Sequence, residues 1–237
     1  MKLLAFDATT ETASVALFDG DTLLGESTKK LGMKHSEILL PMAEALLAAH
    51  GLTFDAIDAY AVTSGPGSFT GVRIGVATVK GLAFGRNCPI AAVSALDALA
   101  ENLSGVEGTV IAAMDARRQE IYTATYTSHA DGTRTKLTED RAIPIAELAR
   151  ELADARGDVY VVGDGYDVTH RILSECGIRL APTPSEKREA SAASVGRFAL
   201  VQIRAGETVS DTALAPTYLR LPQAERERLE REAQNAK

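Results

Sequence analysis

Hydrophobic and polar positions along the first hundred residues follow two rhythms. Lys2 to Ala8 is an apolar run ending in Asp7-Ala8-Thr9-Thr10, Ala13 to Phe18 is a second run, and Thr22 to Lys29 a third. Short runs of this kind, bounded by turn residues, predict strands. Asp19-Gly20-Asp21 between the second and third predicts a hairpin turn, so these two strands are expected to be antiparallel neighbours. From Ser36 to His50 the spacing becomes helical, with Ser36 placed as an N-cap. Ile57 to Thr63 predicts a fourth strand, Phe69 to Phe84 a helix, Pro89 to Val93 a short fifth strand and Ala95 to Leu103 a further helix. The expected order is β-β-β-α-β-α-β-α.

The second half starts the same way. Thr109 to Met114 predicts a strand ending in Asp115-Ala116-Arg117-Arg118, and Glu120 to Thr127 alternates and pairs with Thr133 to Ala142 across His129-Ala130-Asp131-Gly132. Pro144 to Ala155 reads as a helix and Asp158 to Val162 as a strand closed by Gly163-Asp164-Gly165. Tyr166 to Cys176 and Ala190 to Arg204 read as helices, and Leu214 to Leu221 as extended chain. A polar helix starts at Pro222, with Glu227/Arg231 and Arg228/Glu232 paired at i, i+4. Both halves open on an apolar strand ending in Asp and continue into a hairpin, which predicts a duplication. The expected division is residues 1–105, residues 106–221, and a terminal segment 222–237. A three-stranded unit followed by helices, given twice, is the layout of duplicated actin-like and sugar-kinase-like α/β phosphotransferases.

Composition narrows the function classes. The 237 residues carry a net charge of −7, with 7 basic and 11 acidic residues up to Gly105 and 18 and 21 after it. Neither half is basic, which argues against a large phosphate-binding footprint of the chain's own. Cys88 and Cys176 lack metal or redox spacing and read as reduced, buried thiols. No run has membrane-spanning length and no apolar leader follows Met1, so a cytoplasmic protein is expected.

The densest motif is Ser64-Gly65-Pro66-Gly67-Ser68-Phe69-Thr70-Gly71-Val72-Arg73-Ile74-Gly75. Two glycines around a proline make a sharp, stiff turn, and Ser68 is placed to cap the helix that follows. Backbone N–H groups at a helix start can hold an anion. A tight strand-to-helix turn that binds nothing gives the same sequence. Ser68 and Thr70 have no His–Asp arrangement beside them and read as capping residues. His35 has Leu39 four residues on and reads as a cap or surface histidine. Arg117-Arg118 reads as a solvated turn with one structural ion pair.

Taken with Asp7-Ala8-Thr9-Thr10-Glu11-Thr12-Ala13-Ser14-Val15-Ala16, Asp115-Ala116-Arg117-Arg118-Gln119-Glu120-Ile121-Tyr122 and Tyr218-Leu219-Arg220, that motif resembles the bacterial TsaB family over nearly the whole chain. This family was formerly called glycoprotease-like. The resemblance implies a non-catalytic subunit that binds and activates a TsaD-type catalytic subunit. The reaction is threonylcarbamoyl transfer to adenosine of tRNAs reading codons that start with A. It also implies a TsaE-type ATPase as third component, a homodimer when the partner is absent, and contact with tRNA only through the complex. No intrinsic cofactor is expected, with nucleotide only at the complex interface.

Comparison with the catalytic subunit's motifs points the same way. Its His-x-x-x-His metal pair falls on Ala95 and Leu99, which cannot ligate. Its Gly-rich second turn falls on Asp115-Ala116-Arg117-Arg118, and Ala8 stands where actin-like ATPases carry Gly. Asp7, Thr9, Thr10 and Ser68 remain as a weak phosphate contact. The competing reading is an active ATP-dependent phosphotransferase or glycopeptidase of the same fold, which nucleotide turnover by the isolated chain would reveal.

The helices of the first half carry the interface expectation. Apolar residues cover more than one face of the Ser36–His50 helix, whereas packing on a single sheet needs one stripe. Small residues recur four apart in the next helix, at Gly71 and Gly75 and again at Ala77, Gly81 and Gly85. Interior glycine costs about 1 kcal/mol against alanine, so close packing is expected to compensate. The partner face is expected to include Leu39, Met42, Ala43, Leu46, Gly71, Ile74, Gly75, Ala77, Thr78 and Gly81. Burial of both helices within the chain itself is the alternative.

Overall fold

The fold is a computed structural model that describes residues 1–30 and 35–220. The polar helix expected from Pro222 lies outside the described residues. Five strands of the first half form one sheet: β1 (Lys2–Asp7), β2 (Thr12–Asp19), β3 (Thr22–Lys30), β4 (Ala59–Gly65) and β5 (Ile90–Ser94), in the order β3-β2-β1-β4-β5. The first three are antiparallel neighbours, and β1, β4 and β5 run parallel. The β2–β3 turn holds two residues between paired Asp19 and Thr22, and Gly20 takes φ 58° there. Parallel neighbours need crossovers, and α1 (His35–Ala49) and α2 (Phe69–Ala83) supply them.

The second sheet repeats this plan with β6 (Gly108–Asp115), β7 (Glu120–Ser128), β8 (Arg134–Lys136), β9 (Arg141–Pro144) and β10 (Val159–Val162). β10 is parallel to β6, β7 antiparallel to it, and β8 and β9 both pair with β7. The expected single strand 133–142 is therefore broken into two short pieces. α3 (Ala95–Glu101) joins the halves, followed by α4 (Ile145–Glu151), α5 (Tyr166–Glu175) and α6 (Ala192–Ala205). Two sheets of this plan, one after the other, are the duplicated actin-like α/β architecture expected from the sequence.

The layers follow from strand alternation. In β1, Leu4 and Phe6 join α1 and α2 in one core, while Leu3 and Ala5 face α6 in a second. In β6, Val110, Ala112 and Met114 meet α3, while Ile111 and Ala113 meet α4 and α5. Central strands buried on both faces read as continuous apolar runs, as these do. α6 comes from the second half yet packs on the first sheet. The chain after it stays there: Val209 bridges to Ile90, and Leu214 is buried in the first core.

Several local expectations change. α1 begins at His35, so Ser36 lies in its first turn and does not cap it. His35 is 4% exposed, and its Nε2 has no partner among the described residues, so it is neither a cap nor a surface residue. Cys176 is exposed and Cys88 half-buried, both free, against the expectation of buried thiols. Among the described residues no helix is long and apolar enough to cross a membrane.

Candidate functional site

The ends of β1, β4, β6 and β10 converge on one cleft between the halves. Parallel strands in open α/β sheets present their carboxyl ends to ligands in this way. The cleft encloses about 420 Å³. Thr9, Thr10, Gly67, Ser68 and Thr70 line one side; Met114, Asp115, Arg117, Tyr122 and Asp164 line the other; Tyr218 and Arg220 stand at its rim.

On the first side, polar groups are turned onto the chain itself. Asp7 lies beneath the cleft, 2% exposed. Its Oδ1 accepts from the Thr9 N–H at 2.9 Å and the Thr9 hydroxyl at 2.8 Å. Burial pushes its carboxyl above the ordinary range, and the Thr9 bonds pull it back. The Ser68 N–H donates to the Thr9 carbonyl at 2.7 Å, docking the Gly-Pro-Gly turn on the first turn. That closeness explains Gly67: at φ 152° it passes the Thr9 carbonyl oxygen so tightly that a Cβ would sit 2.5 Å away. The Ser68 hydroxyl accepts from the Gly71 N–H at 3.3 Å, so Ser68 caps α2 as expected. Thr9, Thr10 and Ser68 therefore reach the cleft wall together, while Asp7 does not.

The second side is built from a strained turn. Arg117, Arg118 and Gln119 take φ of 67°, 57° and 60° in succession. A left-handed conformation costs about 1–2 kcal/mol for each side-chain-bearing residue. The neighbours hold it: Asp115 Oδ1 accepts from the Arg117 N–H at 2.8 Å, Ala116 N–H donates to the Glu120 carbonyl at 3.0 Å, and Ile145 N–H donates to the Gln119 carbonyl at 3.0 Å. Arg117 also pairs with Asp115 at 3.1 Å, the ion pair expected for this turn. Asp164 is presented beside it by the Gly163-Asp164-Gly165 turn, where Gly165 N–H donates to the Ala113 carbonyl. Asp164 Oδ1 accepts from the Asp115 N–H at 3.2 Å. Its carboxyl is open to water yet hemmed in by protein, and partial burial pushes it up to about 6, with the Asp115 charge adding to the shift. Among the described residues no group of three or more His, Cys, Asp or Glu is placed to hold a metal ion. Ala95 and Leu99 are buried in the apolar layer that α3 forms with the second sheet.

The helices expected to meet a partner divide sharply. Leu39, Met42 and Ala43 are inside, packed on the first sheet with Leu47, and so cannot meet a partner. They form the i, i+3, i+4 stripe that a single sheet requires. Leu46 and Ile74 are half-buried against the same core, and Thr78 is half-buried on α2. Gly71 and Gly75 are also inside. A Cβ on Gly71 would meet the Ala8 carbonyl oxygen at 1.9 Å, and one on Gly75 would reach Val62 and Ala8. The small size of Gly71 serves a contact within the chain, whereas a methyl at Gly75 would make ordinary contact with its neighbours. Ala77 and Gly81 are exposed, and a Cβ on Gly81 would find nothing within 4 Å. Leu40 and Pro41 on α1 and Phe84 at the end of α2 are exposed as well, beside the charged Glu37, Glu44 and Arg73 on the same helices. Phe84 is 78% exposed and Leu40 39%. Phe84 was not singled out in the sequence, although an aromatic residue one turn beyond Gly81 was its signal.

Comparison with known proteins bears on this arrangement. A family model described as TsaD, tRNA N6-adenosine threonylcarbamoyltransferase, matches residues 29–227. A protein of Escherichia coli named tRNA threonylcarbamoyladenosine biosynthesis protein TsaB is 33% identical, over 93% of this chain and 95% of its own length. The chain belongs to the TsaB family. A Bacillus subtilis protein of the same name is 29% identical over 95% of this chain and 96% of its own length. The solved structure of YeaZ from Pseudomonas aeruginosa superposes with a TM-score of 0.75 at 30% identity, covering 92% of this chain and 99% of that one. EutJ from Carboxydothermus hydrogenoformans shares the fold alone, with a TM-score of 0.52 at 12% identity, over 84% of this chain and 90% of that one. In this TsaB-family chain the Gly-Pro-Gly motif serves as a backbone crossing between β1, β4 and α2.

Proposed function

We propose that this chain acts in threonylcarbamoyladenosine formation on tRNA as a non-catalytic subunit. In this reading it docks a TsaD-type catalytic subunit through the outward face of α1 and α2 and stabilises its active state. The observation that carries the reading is the division of these two helices. Their inner stripe is fully used by the first sheet, yet Leu40, Pro41, Ala77, Gly81 and Phe84 are left facing outward. Small residues at 77 and 81 leave the α2 backbone accessible to a second helix, and Leu40 and Phe84 offer apolar area beside it. The cleft supports the reading from the other side. Its first turn engages Asp7 internally, and its second turn is filled by side-chain-bearing residues where a phosphate-binding loop carries glycine. A partner activates only by contacting the active state better than the inactive one, so the effect is expected to appear on mixing and not in the isolated chain. A second copy of the chain is expected to occupy the same face when the partner is absent, with a TsaE-type ATPase joining the assembly and any nucleotide at the shared interface. Cytoplasmic location belongs to the same reading.

The test is titration of the purified catalytic subunit with wild type, Ala77→Glu and Gly81→Glu, together with nucleoside mass spectrometry of tRNA from depleted cells re-expressing each. Both positions are exposed, so the variants are expected to fold. A carboxylate forced into a helix contact must be desolvated, which predicts about 100-fold weaker binding or more and no restoration of the modified nucleoside. The isolated chain is expected to turn over neither ATP nor peptide. Wild-type affinity in either variant, or turnover by the isolated chain, would overturn the proposal.

A further inference from the structure

The chain after α6 runs along α2 and ends on the opposite wall of the cleft. Lys80 Nζ, on α2, donates to the Thr212 and Leu214 carbonyls at 3.3 and 2.9 Å. The Thr217 N–H donates to the Ser64 carbonyl at 2.6 Å. Gly65 makes room for this crossing, since a Cβ there would lie 2.2 Å from the Thr217 carbonyl oxygen. Tyr218 then stacks on Phe69 with 4.7 Å between ring centroids. The Arg73 guanidinium lies 3.8 Å over the Phe69 ring, and its Nε donates to the Tyr218 hydroxyl at 2.8 Å. All of these contacts belong to the first half.

Two residues later the chain is bound to the second half. Arg220 Nη1 lies 2.7 Å from Glu120 Oε2 and 3.5 Å from the Ala116 carbonyl oxygen, with the guanidinium 5.8 Å from the Tyr122 ring. The Arg220 side chain is 14% exposed, so this ion pair is shielded and supported by a second acceptor, unlike an ordinary surface pair. Glu120 and Ala116 are the two ends of the left-handed turn Arg117–Gln119. Only Leu219 separates the residue fixed to one half from the residue fixed to the other.

We infer that Thr217–Arg220 is a latch across the mouth of the cleft. It holds the two halves at one angle and clamps the left-handed turn that forms the second wall. At the base of the cleft α3 holds the second sheet through an apolar layer and through side-chain bonds, with Tyr126 and Lys136 donating to Asp97 Oδ1 and Arg134 pairing with Glu101. The latch is the attachment at the open end of the cleft, and together with the attachment at the base it fixes the angle between the halves. The inference stands apart from what α2 docks, and the isolated protein is enough to test it when labelled chain is diluted into an excess of unlabelled chain, so that distances within one copy are read.

Spin labels at Thr70→Cys and Asp167→Cys, in a Cys88→Ser and Cys176→Ser background, flank the cleft from its two sides. Pulsed electron resonance should give one narrow distance distribution for the latched chain. Arg220→Ala, Glu120→Ala and Tyr218→Ala should each broaden it and shift it to longer distance, with far-ultraviolet circular dichroism unchanged. Arg220→Lys, which keeps the charge but loses the planar fork, should lie between. Glu120→Arg combined with Arg220→Glu should restore the narrow distribution, and Arg117→Ala, which removes an exposed pair in the same cleft, should leave it unaltered. Narrow, unshifted distributions in Arg220→Ala and Glu120→Ala would overturn the latch, as would a charge swap no better than either single variant. If Arg220→Ala fails to fold, Arg220→Lys and the charge swap decide by the same measurement.

Discussion

Gly71→Ala separates two effects of opposite sign. Glycine inside a helix normally costs about 1 kcal/mol against alanine, so propensity alone predicts that the substitution stabilises α2. The structure predicts the reverse. The new methyl would sit 1.9 Å from the Ala8 carbonyl oxygen and 3.1 Å from its carbon. That oxygen belongs to backbone that cannot yield easily. Asp7 before it holds Thr9 through two hydrogen bonds, and the Thr9 carbonyl takes the Ser68 N–H at 2.7 Å. Relief must then come from α2 moving away by about 1 Å, enough to forfeit a large share of each contact it breaks. Val72, Val76 and Val79 would lose packing against the first sheet, where all three are buried. Overpacking by one methyl costs about 1–3 kcal/mol, and the rigidity of the neighbour places this case near the upper end. With the propensity gain subtracted, a net loss of about 2 kcal/mol is expected, or about 4–8 °C in melting temperature. Gly81→Ala on the same helix is the control, because nothing lies within 4 Å of its Cβ, and it should be neutral or slightly stabilising. Urea unfolding followed by circular dichroism and fluorescence measures both. A Gly71→Ala protein as stable as wild type would refute the account of why α2 carries glycine there.

The remaining stability predictions concern the two buried or half-enclosed carboxylates. Asp7→Ala should destabilise by about 2 kcal/mol, because the buried Thr9 N–H and hydroxyl lose their acceptor, whereas Asp7→Asn keeps an oxygen in place and should cost less than half as much; equal losses in thermal melts would contradict this. Asp164 has its carboxyl raised from the ordinary 3.8 to about 6, so the folded chain binds the proton more tightly than the unfolded chain. That contribution is fully present below about pH 4 and is lost as the pH rises through about 6. Asp164→Asn keeps the acceptor for the Asp115 N–H and should melt higher than wild type above pH 6, with the difference vanishing near pH 4; a constant difference across that range would place the charge effect elsewhere.

The fold was legible because its central strands are covered on both faces. A strand such as β1, with Leu4 and Phe6 toward one helix layer and Leu3 and Ala5 toward another, leaves an unbroken apolar run that needs no phase to be recognised. The β8–β9 region lacked that signal. It is an edge, held to β7 by two short stretches, and within those two strands only Ile143 is buried in a core, too little for a pattern. The sequence predicts α1 as a helix but does not separate its two faces. Leu39, Met42, Ala43 and Leu47 already make a complete stripe for the sheet, so the informative residues were those left over, Leu40 and Pro41. His35 sits at the start of α1 with polar neighbours, and its burial comes from packing that no local pattern reports.

The cleft was legible in its turns but not in what fills them. Glycine is called for wherever backbone passes backbone, and the sequence does not say which backbone. Gly67 passes Thr9, Gly71 passes Ala8 and Gly65 passes Thr217. All three partners lie in segments far away along the chain, so a motif consistent with an anion cradle and a motif consistent with a three-way crossing look identical until the segments are placed. Asp164 follows the same logic from the other half. Its turn reads as an ordinary strand end, and only the pairing of β10 with β6 brings its carboxylate against the Asp115 N–H. Tyr218-Leu219-Arg220 was recognisable as a motif but carried no role, because Phe69 and Arg73 on one side and Glu120 on the other are joined by the fold alone. What a one-dimensional reading recovers here is therefore the set of positions under constraint. The nature of each constraint is a property of pairs, and only the fold says which distant segments are paired.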